Sequence, residues 1–130
     1  MQYSLQRLQQ HTVSPLLASC YIPYADNHFQ VADENLVIHE WACEPNCAPD
    51  GTQFKGIYAR NLLALHKVKP MPLFRGVLLA SANSIWDNDR NASNQISVSW
   101  QGPFEYPANA STQSSALDAL IAATQLKAEM

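Results

Sequence analysis

Glycine is scarce in this chain, with four scattered residues in 130. A phosphate-cradling loop needs clustered glycines so that backbone N–H groups can close on the anion, and a nucleotide site of that kind is therefore excluded. Long hydrophobic runs are lacking too. No stretch approaches the roughly 20 apolar residues that cross a bilayer, so membrane insertion is not expected. The opening MQYSLQRLQQHTVSPLLASC has neither a basic leader nor a continuous apolar stretch, and it does not read as a secretory signal.

Charge is sparse as well. Charged residues make up 15% of the chain and the net charge is -3, which opposes general affinity for nucleic acid. Cysteine numbers only three, too few for a stapled secreted scaffold and odd in count. The expectation is a cytoplasmic protein, with secretion open if the chain is a mature product. No cofactor is expected. Asn91-Ala92-Ser93 and Asn109-Ala110-Ser111 match the glycosylation acceptor pattern, which has meaning only on a eukaryotic secretory route.

What is present suffices for an ordinary core. A chain of this length removes roughly two thirds of its extended surface on folding, so it reads as a single domain over 1–130 that needs no metal or disulfide staple. The charges are unevenly placed. Residues 1–54 hold six acids (Asp26, Asp33, Glu34, Glu40, Glu44 and Asp50) against one base, Arg7. Residues 55–75 hold Lys55, Arg60, Lys67, Lys69 and Arg75 and no acid. Lys55, Arg60, Lys67 and Lys69 form a candidate basic patch, though pairing with the protein's own acidic portion explains the segment better.

The pattern predicts an α+β fold: a small, mostly antiparallel sheet packed against two main helices. YSLQRLQQ (3–10) is a short helix candidate. NLVIHEWA (35–42) reads as a strand, ended by CEPNCAPDG, where prolines, Asn46 and Asp50-Gly51 dictate a turn. GIYARNLLALHKV (56–68) is the best central helix, with Tyr58, Leu62 and Leu65 in register, and Pro70 and Pro72 stop it. FRGVLLAS (74–81) looks like a buried strand. NSIWDNDRNASN reads as a polar, mobile loop over 82–94. In QISVSWQG, Ile96, Val98 and Trp100 alternate with serines, a half-exposed strand signal. Ser115-Ala116-Leu117-Asp118 fits a capping box, opening a last helix to about Lys127 with Leu117, Leu120, Ile121 and Thr124 inward.

The candidate chemistry centres on HEWACEPNC. His39, Cys43 and Cys47 are the local metal candidates, but zinc wants three or four convergent ligands and no second close pair follows. Cys43 and Cys47 could close a disulfide across the turn; free, partly buried thiols are the leading expectation. A cysteine nucleophile would draw on Cys43 or Cys20 with His39 or His66 as base, oriented by Asp26, Glu40 or Asn61. His39 suits a satisfied sheet position, and His66 a helix terminus or surface. Asp87, Asp89, Asn91 and Ser93 resemble a calcium loop, but Ala92 and Val98 occupy the positions that need glycine and glutamate.

No catalytic constellation stands out, so a non-enzyme is favoured. The sequence points to a small protein-interaction module of the inhibitor, immunity or regulatory-adaptor kind, with another protein or a second copy as partner. Its surface would be Trp86, Asp87, Asp89, Arg90, Phe104 and Tyr106, since aromatics and arginine anchor interfaces. The alternative is a cysteine/histidine-dependent small hydrolase or transferase, or a small zinc-binding domain.

Overall fold

A computed structural model describes residues 31–130. Three α-helices form its frame: α1 (Phe54–Val68), α2 (Pro72–Ser84) and α3 (Ala110–Ala128). A single 3-10 turn, Gly51–Gln53, leads into α1, and a π-helical turn, Ile85–Asp89, extends α2. The expected helix at 3–10, together with Cys20 and Asp26, lies outside the described residues.

The expected sheet does not exist among the described residues, which hold no strand. Two isolated antiparallel bridges, Ala32 to Ile38 and Arg90 to Ile96, are all that the predicted strands become. In NLVIHEWA, Leu36 takes a positive φ of 66°, which breaks extension after one residue pair. Ile96, Val98 and Trp100 are buried as the alternation implies, but Ser97 between them is equally buried, so no exposed sheet face exists.

The segment 74–81 is the plainest correction, because it is the heart of α2. Phe74, Val77, Leu78 and Ser81 follow the i, i+3, i+4, i+7 spacing of one helical face, and all four are buried. A short apolar run is compatible with a buried strand or a buried helix, and Pro72 in the first turn decides for the helix. The loop expected over 82–94 is helical through Asp89.

α1 and α3 pack closely because their facing residues are small. Ala116, Ala119, Ala122 and Ala123 line the inner side of α3, while Leu117 and Ile121 stand about half exposed. The last helix is thus rotated from the predicted face, and its cap lies six residues earlier. Asn109 is its real cap: Oδ1 accepts from Ser111 N and Thr112 N, and Thr112 Oγ1 accepts from Asn109 N. At the closest approach Gly56 N donates to Ser115 Oγ at 2.9 Å.

Candidate functional site

Acidic, amide and hydroxyl side chains gather at one end of α2. Asp33 Oδ1 accepts the N–H groups of Asn35 and Val37, both at 2.9 Å, and so shapes the turn that faces the helix. Between them runs an open cleft of about 310 Å³. Its walls are Asp33, Asn35 and Val37 from the turn, Ala80, Asn83 and Ser84 from α2, Asp87 and Asn88 from the π turn, and Gln101. Ser84 Oγ donates to Trp100 O at 2.8 Å and accepts from Asn88 Nδ2 at 3.0 Å, tying the π turn to the segment carrying Gln101.

Gln101 links the cleft to a buried network. Its side-chain amide lies 2.5 Å from His39 Nδ1, and the same nitrogen lies 3.1 Å from Glu44 Oε2. Glu44 Oε1 accepts from Glu40 N at 2.8 Å and from Lys55 Nζ at 2.5 Å. Lys55 also donates to Val98 O at 2.5 Å and sits 4.4 Å from the centre of the Trp100 ring. The side chains of Glu44 and Lys55 are 2% and 3% exposed, so this is an ion pair removed from water. Burial drags the Lys55 ammonium below the usual lysine range, and the Glu44 carboxylate opposes that shift.

Asp89 completes the interior. It has no exposed surface, and Ser97 Oγ donates to its Oδ1. Burial pushes its carboxyl up from 3.8 to about 6, against the pull of Ser97 and Lys55. Between those values the folded protein holds a proton that the unfolded chain has released. This carboxyl therefore contributes stability that is fully present below pH 3.8 and lost as the pH rises through about 6. The expected difference is no more than about 3 kcal/mol. Subtracting the urea-stability curve of Asp89→Asn from that of the parent between pH 3.5 and 8 isolates it. A difference that does not vary with pH would reject the buried-acid assignment.

The sequence candidates scatter. Cys43 and Cys47 are joined in a disulfide, with Cα atoms 4.6 Å apart. Both sulfurs are thereby spent, which removes the His39/Cys43/Cys47 metal set and Cys43 as a nucleophile. The described residues contain no group of three or more His, Cys, Asp or Glu that could hold a metal ion. His66 is buried, and its Nδ1 accepts from Met71 N at 3.1 Å, so it caps the α1–α2 turn. In the basic patch, Lys55 is interior; Arg60 reaches Asp118 at 3.7 Å and Lys67 donates to Gln125. Of the aromatic surface, Trp86 is half exposed with the Arg90 guanidinium 3.9 Å over its ring, while Phe104 and Tyr106 meet edge to face. Asp87 lines the cleft and Asp89 does not.

A protein-family model, that of glycosyl hydrolase family 76, matches residues 18–129. The chain belongs to glycosyl hydrolase family 76. No curated protein and no solved structure matches it. Membership of family 76 overturns both the interaction-module reading and the preference for a non-enzyme, and it replaces a protein partner by a substrate. The hydrolase named as the alternative had the right class; of its two candidate cysteines, Cys43 is in the disulfide and Cys20 lies outside the described residues. Among the described residues no helix is long and apolar enough to cross a membrane.

Sequence reasoning missed Asn35, Asn83, Gln101, Trp41 and the Glu44–Lys55 pair. A signal existed for Lys55: with Ala59, Leu62 and His66 it falls on one helical stripe, but the predicted helix began at Gly56 and its predicted face ran through Tyr58, Leu62 and Leu65.

Proposed function

We propose that the protein acts on carbohydrate, with the cleft at the end of α2 binding a saccharide chain whose glycosidic bond is hydrolysed. The observation that carries this reading is the chemistry of the cleft walls. Asn35, Asn83, Asn88 and Gln101 offer paired donors and acceptors, and Asp33 and Asp87 offer carboxylate acceptors. Sugar hydroxyls donate and accept at once, so an amide- and carboxylate-lined cleft matches them better than it matches an apolar or strongly charged ligand. Asp33 is partly committed to its own turn through Oδ1, which leaves Asp87, exposed on the π turn, as the freer carboxylate. Family membership supplies the reaction class, hydrolysis of a glycosidic bond.

The disulfide supports an oxidising compartment, such as the exterior of the cell, over the cytoplasm expected from cysteine number alone.

The test is an assay of reducing ends released from a panel of neutral α- and β-linked hexose oligosaccharides, paired with calorimetric titration of the same sugars. At least one member should bind and be cleaved, and Asp87→Asn should weaken its binding about tenfold, the loss of one charge-assisted hydrogen bond. A folded protein that neither binds nor cleaves any of them would overturn the reading.

A further inference from the structure

Trp41 carries its ring into solvent at 50% exposure, and one side chain, His39, separates it from a wall of the cleft. The His39 ring packs edge-on against Trp41 with centroids 4.1 Å apart, and the Gln101 amide, a wall of the cleft, lies 2.5 Å from His39 Nδ1. The platform continues inward without a break. His39 Nδ1 meets Glu44 Oε2, and Glu44 is held by buried Lys55. The Cys43–Cys47 disulfide closes the short loop that carries Glu44, two residues after Trp41.

We infer that Trp41 and His39 form a sugar subsite next to the cleft, in which a pyranose ring stacks on Trp41 and one of its hydroxyls hydrogen-bonds to His39 Nε2. The inference rests on the carbohydrate reading above and adds a place for one ring of the ligand. Three observations support it together. The apolar face of a pyranose seeks a flat aromatic surface, and an indole half in water is unburied area that such a ring would cover. Glu44 Oε2 is buried and lies 3.1 Å from His39 Nδ1, so this edge of the ring faces the protein's own carboxylate. Nδ1 is thus engaged with Gln101 and Glu44, which leaves Nε2 as the ring nitrogen for a sugar hydroxyl. Finally, a histidine anchored to a buried ion pair, with Trp41 packed on its ring, loses little freedom when a ligand arrives, so more of the contact energy appears as affinity.

The experiment titrates the oligosaccharide panel into the full chain carrying Trp41→Ala, Trp41→Phe or His39→Gln, with thermal unfolding as the control for folding. Trp41→Ala should weaken binding about tenfold while leaving the unfolding midpoint in place; Trp41→Phe should restore most of the affinity because it restores a stacking face. His39→Gln should weaken binding less, and where hydrolysis is measured both losses should fall on KM and not on kcat, since the subsite holds the sugar and does not touch the reacting bond. If the parent binds a sugar and Trp41→Ala binds it equally well, the subsite is wrong and the cleft reading stands. If Trp41→Phe is as weak as Trp41→Ala, stacking is wrong. If the parent binds no sugar at all, both readings fall together.

Discussion

Replacing Gly56 by alanine is expected to destabilise the protein by more than about 3 kcal/mol, a large effect for one methyl group. A Cβ built at Gly56 falls 2.6 Å from both the Cα and the carbonyl oxygen of Ser115, and 2.9 Å from its carbonyl carbon. All three are backbone atoms of α3. No side-chain rotation relieves the overlap, so α1 and α3 must move apart, and the movement strips contact from the alanine face and lengthens the Gly56 N to Ser115 Oγ bond. Helix propensity pulls the other way by about 1 kcal/mol and is outweighed. Gly76 provides the control on the neighbouring helix. Its Cβ would meet only the Cδ1 of Leu36 at 3.4 Å, so Gly76→Ala should be neutral or slightly stabilising. Urea unfolding of the two variants measures the contrast; equal stabilities would reject the close helix approach.

Lys55→Met is expected to cost about 4 kcal/mol, because it leaves the Glu44 carboxylate buried without its cation. The loss also strands Val98 O, which accepts from the same ammonium. Methionine matches the lysine stem in length, so packing against Trp100 is largely kept and the effect reports charge. The double variant Lys55→Met/Glu44→Gln should recover much of the loss, since an uncharged amide is far cheaper to bury than an unpaired carboxylate. The four-member cycle of urea stabilities gives the coupling directly. A coupling below about 1 kcal/mol would place the pair among exposed ion pairs and contradict its burial. The same variants probe the cleft, because Glu44 orients His39 and His39 meets Gln101.

The pair shows how much of the site could be read beforehand. The acid-rich first portion and the acid-free stretch 55–75 pointed to internal pairing, and Lys55 with Glu44 is such a pair. Which acid would be chosen could not be read, because Glu44 lies on an irregular turn closed by the Cys43–Cys47 disulfide. The turn at 43–51 and the central helix were legible from prolines and spacing, and the last helix was legible in existence but not in its cap. The inner face of the last helix was not. Leu117 and Ile121 are more hydrophobic than the alanines, yet the alanines face inward and only Leu120 of the predicted leucines packs against the core. Burial there is decided by how near α1 comes, and Gly56 lets it come too near for leucine.

By itself, then, the amino-acid order settled only some local matters: that the chain turns between Cys43 and Gly51, and that helices run through most of 56–68 and 115–127. These depend on neighbours within a few residues, whose backbone preferences and hydrogen-bonding groups are written in order along the chain. Tertiary structure alone decided which stripe of α3 would be interior, and that Asp33, Asn83, Asp87 and Gln101 would share one cleft. Those outcomes hang on contacts between residues tens of positions apart, where interhelical distance and the competition for buried surface, not local propensity, set the result.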